Sequence, residues 1–477
     1  MRGQRGALWG LAAILALGAL LRLALTLGWQ PALMGWPDAA SYIDVAHGQL
    51  FGNELRPAGY PLFLRGLHSL APSLVLVVVV QHLMGLATAL VLYLAVVRAG
   101  APRAFGLIPA AVVALGGDGI FLEHAPISES LFIFLVAVAL YAGVRALEGG
   151  QLRWPLMLGA ALAVAAGVRV VALPLLPLAG ICLAVAAGGP VRRRAVAVAA
   201  AAVGMLAVLA PYYAIEHHDT GRVGLSRNGM WNLYGRVAPF ADCSKFDPPP
   251  GTRSLCETTP RSQRPLAYQY TFNWYFSPAV RQLANPHVAT SDQTNTVAAW
   301  SLAVIMGQPL DYATEVGAGM LRYVAPESFK GFGGGPSYHD LVHGQILFNR
   351  AFQREGLRVA RTYYSDAGRF RAHSGPLHAL RWWESITRLQ GPAFVILALL
   401  SLAAPFAGRG RGPALLFAVV AWELLVVPVA TVEFSARTAV PGFGALAAAA
   451  SLGAWRCSAW LSARLALGRG LRGGAPA

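Results

Sequence analysis

Apolar runs close to 20 residues long recur along the chain, separated by short polar stretches. Each is long enough to cross a hydrocarbon core of about 30 Å. The pattern predicts ten spanning helices, near residues 7–29, 73–97, 105–122, 129–147, 154–170, 172–188, 195–215, 389–407, 413–431 and 438–455. Between the seventh and the eighth, residues 216–388 hold no run long enough to span. That region is rich in Pro, Gly, Trp and Tyr, too aromatic for a disordered tract. It is expected to form a small mixed or mainly helical lobe on the membrane face. The reading is an all-α polytopic membrane protein in three parts: a transmembrane core at 1–215 with its first outer loop at 30–72, a lobe at 216–388, and C-terminal helices with a tail at 389–477.

Composition supports this. Of 477 residues, 56% are hydrophobic and 13% charged, against roughly 25% charged in soluble domains. The first apolar segment follows Arg2 and Arg5, as a signal peptide would, but it is longer than an h-region and no small-x-small cleavage site follows. It is expected to be retained as a helix.

The net charge of +16 comes from Arg, with only two Lys. Arg2, Arg5, Arg98, Arg103, Arg145, Arg153, Arg192, Arg193, Arg194, Arg409, Arg411, Arg456 and Arg464 fall at alternate helix ends. Asp38, Asp44, Glu54, Asp118, Glu123, Glu129 and Glu433 fall at the others. By the positive-inside rule both termini are cytoplasmic and the acidic ends are extracytoplasmic, in a multi-pass protein of the cell membrane. Arg placed for orientation in a bilayer argues against a nucleic-acid partner.

Cys182 and Cys457 lie in or beside apolar segments and are read as inert. Cys243 and Cys256 frame "CSKFDPPPGTRSLC" in the long polar region. An oxidising compartment would join them in a disulfide. Without a second Cys pair the spacing does not suggest zinc.

The stretch "GWPDAASYIDVAHGQLFGNELRPAGYPLFL" is dense in polar groups. Ile43, Ala46 and Leu50 recur at helical spacing, and Asp38 and Tyr42 share another face. A short amphipathic surface helix is expected, with Asp38 at its start and a break at Pro57 and Pro61. Asp38 could simply cap that helix. Three further clusters carry acids and bases to the same side: "DGIFLEHAPISES", "GVRVVALP" and "TVEFSARTAVPG". Ionisable groups at a bilayer are costly unless they face water or one another, so four clusters suggest one shared cavity.

With "PDAASYIDVAHGQL", "RPAGYPLFL", "EHAPISESLFIFL" and "EFSARTAVPGF" in view, the chain resembles the GT-C superfamily of membrane glycosyltransferases. The likeness is to its protein-mannosyltransferase-like and aminoarabinose-transferase-like branch, glycosyltransferase family 39-like. It covers about the first 215 residues and the last helices. The region "LYGRVAPFADCSKF" looks like that of actinobacterial members. The last motif departs from the family's E-x-R-Y form: Glu433 and Arg437 are four apart and Thr438 replaces the Tyr.

The resemblance implies a GT-C-like bundle that moves a sugar from a polyprenyl-phosphate donor to an acceptor hydroxyl outside the cytoplasmic membrane. The acceptor is a glycan, a glycolipid or a protein. It implies Asp38 as base in a single inverting displacement. The growing charge on the leaving phosphate needs fixed cations, and Arg56, Arg169 and Arg437 are the candidates. Tyr42, Asp44, Tyr60, Glu123, His124, Glu129 and Glu433 are candidates for orienting the substrates. No cofactor is required by this reading, although carboxylates could hold Mg²⁺ or Mn²⁺.

Each residue also has a plainer role. Arg169 could snorkel to headgroups, Arg56 could pair with Glu54 or Asp44, and Glu129 could complement a helix dipole. His124 could be structural, and Glu433 and Arg437 could form an i, i+4 pair. Elsewhere, "YHDLVHG" sets His339 and His343 four apart without a third ligand. "HHD" at 217–219 reads as an interfacial cap, and "GFGGGP" at 331–336 as a flexible lid. The aromatic run at 268–276 reads as the lobe's core. Two other functional classes share the scaffold: a translocator of lipid-linked sugars and a non-catalytic envelope-assembly protein.

Overall fold

The structure, a computed structural model, describes residues 2–34, 37–53, 55–273, 275–286, 288–325, 350–369, 371–406 and 411–472. His339, His343, the glycine-rich stretch at 331–336 and Glu54 lie outside the described residues.

Apolar runs become helices, and breakers set their ends. α1 (Arg2–Gly28) leads through β1 (Trp29–Gln30) to α2 (Pro37–His47), α3 (Gly59–Leu70) and α4 (Leu74–Arg98). Pro57 breaks the chain as expected, whereas Pro61 sits in the first turn of α3, where its missing N–H costs nothing. Leu50 lies beyond the end of α2. The start of α4 is stabilised by Asp366, whose carboxylate accepts from the backbone N–H groups of Leu74 and Val75 at 2.9 and 3.2 Å. An anion is favourable at a helix N-terminus.

α5 (Arg103–Leu115) and α6 (Gly117–Glu123) meet at Gly116 with a 51° bend. Then follow α7 (Glu129–Glu148), α8 (Arg153–Val168), α9 (Leu175–Ala186) and α10 (Val191–Thr220). α10 runs past the boundary expected at 215 and ends on Gly221, whose φ of +70° suits glycine. "HHD" forms its last turn and is solvent-exposed.

α11 (Asn228–Val237), α12 (Ala267–Phe272), α13 (Pro278–Gln282), α14 (Ser291–Gly307) and α15 (Pro309–Leu321) follow. Several of these helices share a hydrophobic cluster containing Trp231, Tyr234, Tyr270 and Trp300. Within the aromatic run Tyr270 is core, while Tyr275 and Phe276 are exposed. A disulfide joins Cys243 and Cys256, with Cα atoms 5.9 Å apart. α16 (Arg350–Tyr363) packs on α2. β2 (Arg371–Ala372) pairs antiparallel with β1, setting Trp29 opposite Ala372. α17 (Ser374–Thr387) bends by 48° into α18 (Gly391–Ala403). α19 (Arg411–Thr431) and α20 (Ala436–Arg472) close the chain.

Among the described residues, six helices are long and apolar enough to cross a membrane, or eight if each bent pair is one span. The ten expected runs are all helical, the remaining two being the shorter apolar helices Arg153–Val168 and Val170–Ala186. α8 and α9, the fifth and sixth expected spans, have 16 and 12 residues. At 1.5 Å per residue both fall short of about 30 Å. The helix stops because Arg169 is extended, at φ −146° and ψ 121°.

The two ends of the bundle carry different arrangements of charge. At one end Arg98 pairs with Glu148 at 2.7 Å, and Arg145 and Arg153 stack on Trp154. The starts of α2, α7 and α20 meet at the other.

Candidate active site

Asp38 stands in the first turn of α2, and its carboxylate goes to two arginines rather than to the helix backbone. Oδ1 accepts from Arg56 Nη2, and Oδ2 lies 2.7 Å from Arg437 Nη1. Arg56 is presented by the turn after α2. There Asn53 Oδ1 accepts from the backbone N–H of Leu55 and Arg56 at 3.0 and 2.8 Å. Its guanidinium lies over the ring of buried Tyr42, 5.1 Å from the centroid.

Arg437, in the first turn of α20, also places Nε 2.5 Å from Glu129 Oε1. Glu129 opens α7 and is fully buried. Arg169 puts Nη1 2.7 Å from the same oxygen and 3.1 Å from Ser128 Oγ. Ser128 Oγ accepts from Tyr42 as well, at 3.0 Å. The break after α8 thus turns Arg169 into the cluster instead of toward headgroups.

Three guanidiniums face two carboxylates, leaving one positive charge. Arg56 Nε and Glu129 Oε2 are buried without a hydrogen-bond partner among the described residues. Burial alone would raise the Asp38 carboxyl, but Arg56, Arg437 and Arg169 outweigh it and hold it well below the usual carboxylate range. An arginine fork with an unused donor is suited to a phosphate oxygen.

A second network lies beside the first. Arg22 holds Glu123 with two bonds, Nε to Oε2 and Nη2 to Oε1, both 2.7 Å. His82 Nδ1 stands 3.0 Å from Glu123 Oε2, and its Nε2 is 3.1 Å from His124 Nδ1. The carbonyl of Trp29 can only accept, so His124 donates to it from Nε2 at 2.9 Å. Gln81 donates to the carbonyls of Glu123 and Ala125 and accepts from Tyr60 at 2.7 Å. Gly85 is needed here, because a Cβ would come within 2.0 Å of Glu123 Oε1.

The structure therefore brings together Asp38, Tyr42, Arg56, Glu129, Arg169 and Arg437. Tyr60 packs edge-on against Tyr42 at 4.9 Å, but its hydroxyl is committed to Gln81. Glu123 and His124 belong to the second network. Asp44 is exposed and its side chain stays outside the cluster. Glu433 lies between α19 and α20 and forms no salt bridge among the described residues, because Arg437 turns to Asp38 and Glu129. Burial pushes the Glu433 carboxyl up, against the pull of Arg322 and Arg236.

Arg22, Gln81, His82 and Ser128 are missing from the sequence candidates. A charge inside the first apolar run, and "QH" inside the second, were the available signals, since such groups are costly in a membrane without partners.

Among the described residues no group of three or more His, Cys, Asp and Glu is arranged to hold a metal. The facing oxygens of Asp38 and Glu129 already hold guanidiniums, and an added dication would join three positive charges.

Fold and site define an all-helical, multi-pass membrane protein with a cationic cluster at one end. No family model matches the chain, and no curated protein matches it. Among solved structures, the chain is similar to the oligosaccharyltransferase AglB from Archaeoglobus fulgidus, in complex with an inhibitory peptide and a dolichol-phosphate. That match has 13% identity and a TM-score of 0.45, over 98% of this chain and 52% of the other. ArnT from Cupriavidus metallidurans, bound to undecaprenyl phosphate, matches at 13% identity and a TM-score of 0.36, over 94% and 77%. The protein O-mannosyltransferase complex of S. cerevisiae, bound to the sugar donor, matches at 15% and 0.36, over 53% and 37%. The chain spans about half the length of the archaeal protein.

Proposed function

We propose that this protein is a glycosyltransferase that moves a sugar from a polyprenyl-phosphate donor to an acceptor hydroxyl on the extracytoplasmic face. The observation that carries the reading is the cluster of three guanidiniums around Asp38 and Glu129, with Arg56 Nε unused. The sequence resemblance to GT-C enzymes supports it.

In this reading Arg56, Arg169 and Arg437 hold the donor phosphate. Asp38 takes the proton of the acceptor hydroxyl as that oxygen bonds to the anomeric carbon. The bond from that carbon to the phosphate oxygen breaks, and its electron pair leaves on the phosphate. The products are an inverted glycoside and polyprenyl phosphate, whose charge the arginines stabilise in place. Before the donor binds, both Asp38 oxygens are engaged by arginine. The phosphate draws a guanidinium away and frees the carboxylate, so the donor binds first.

The test is release of polyprenyl phosphate from a panel of polyprenyl-phosphate sugars with envelope acceptor, using purified protein in lipid. Release from one donor, reduced about 10²–10⁴-fold in Asp38→Asn, is expected for a general base. No release from any donor by folded protein, or flux across sealed vesicles without a covalent product, would overturn the reading.

A further inference from the structure

A cavity of about 340 Å³ lies among α4, α5, α6, α7, α17 and α20. This is at the low end of small-molecule pockets, roughly 300–1,000 Å³. Its walls are mostly apolar, with Val112, Leu122, Ile133, Trp383, Val440 and Phe443 among them. It backs on the helices that carry the arginine cluster: Ser130 follows Glu129, and Val440 is one turn from Arg437.

Two residues that line it each carry a buried side-chain oxygen with no hydrogen-bond partner among the described residues, Asp118 Oδ2 and Ser130 Oγ. Both residues are nearly buried, at 5% and 4% exposure. Asp118 Oδ1 has Arg388 Nε at 3.8 Å, beyond hydrogen-bond reach. The other polar groups on the wall are satisfied. Thr88 donates to the carbonyl of Met84, Thr387 to that of Trp383, and Glu123 is held by Arg22 and His82. An apolar chamber with one acceptor carboxylate oxygen and one hydroxyl calls for a ligand that is apolar in body and donates a hydrogen bond at one end. A carboxylate or phosphate is disfavoured, because it would face the Asp118 carboxylate, whose Oδ2 has no hydrogen-bond donor among the described residues.

We propose that this cavity is a second ligand site, taking an amphiphile whose apolar chain fills it and whose hydroxyl or ammonium group donates to Asp118 Oδ2 beside Ser130 Oγ. The anion requirement of the arginine cluster and the donor requirement here are opposite, so the site is distinct from that of the donor phosphate. It stands whether or not the chain transfers a sugar.

Bromine quenches tryptophan on contact, and Trp383 lines the cavity. The protein in phosphatidylcholine nanodiscs is titrated with terminally brominated dodecanol, dodecylammonium and dodecanoate. The alcohol and the ammonium are expected to give saturable quenching that disappears in Trp383→Phe, while dodecanoate gives only an unsaturable slope. Asp118→Asn should weaken the ammonium at least tenfold. Gly119→Leu should abolish saturation by filling the cavity, since a Cβ there meets nothing closer than 4.0 Å. If Asp118→Asn does not fold, Ser130→Ala and Gly119→Leu carry the test. Equal quenching by all three probes, or none that saturates, would overturn the proposal and leave a crevice for any hydrocarbon. Lipid analysis of purified protein separates two sources. A resident membrane lipid is present in wild type and lost in Gly119→Leu, whereas a substrate binds only when added, and either supports the site.

Discussion

Arg437 Nη1 lies 2.7 Å from Asp38 Oδ2, joining the first turn of α20 to the first turn of α2. The same side chain reaches Glu129 through Nε, so one planar fork spans two carboxylates on two other helices. Lysine has no fork and would satisfy one of them at a time. Arg437→Lys is therefore expected to weaken donor binding about 10- to 100-fold, the scale of one or two hydrogen bonds to a charged group. Donor titration in nanodiscs reads this directly, and unchanged affinity would remove Arg437 from the phosphate site.

On the proposed function, Arg56 and Arg437 each hold one Asp38 oxygen until a donor phosphate competes for them, so Asp38 is a weaker base toward an acceptor before the donor binds. Initial-rate and product-inhibition kinetics should show a compulsory order with the donor first. Random addition would mean that Asp38 is free of its arginines without phosphate.

Arg22 and Glu123 are 3% and 6% exposed and form a two-bond pair. Removing one member of a buried pair strands the other, at about 3–5 kcal/mol. Arg22→Met should destabilise by that amount, and Arg22→Met with Glu123→Gln should recover most of it. Thermal unfolding of the singles and the double in one detergent makes the comparison. Additive losses would show that the pair contributes little.

The Asp38 carboxyl is depressed from an ordinary 3.8 to well below the usual range. The unfolded chain therefore takes up this proton first on acidification. The stability that Asp38 contributes is complete above 3.8 and is lost as pH falls toward the folded value. Unfolding measured through this window should steepen in wild type and flatten in Asp38→Asn. Identical pH profiles would show that the arginines do not hold this carboxylate.

Much of the site was legible because ionisable residues stand out against apolar runs. Asp38, Arg56, Glu129, Arg169 and Arg437 were all visible as charges at helix ends. Their pairing was not. Local spacing offers Glu433 as the partner of Arg437 and Glu54 or Asp44 as that of Arg56. The fold instead gives Arg437 to Asp38 and Glu129, and Arg56 to Asp38. Arg22, Gln81 and His82 were hidden for the opposite reason: they sit inside apolar runs, where only packing against α6 supplies partners.

From its sequence alone the chain is a helical, multi-pass membrane protein whose acids gather at one set of helix ends, while its arginines stand at both. Hydrophobic run length and charge placement are local properties, and a single chain carries them openly. Tertiary structure decided which runs stop short, as α8 does at Arg169, and which distant charges meet. Those choices depend on desolvation: a charge brought near the bilayer must find its counter-charge, and only the packed helices determine which one is within reach.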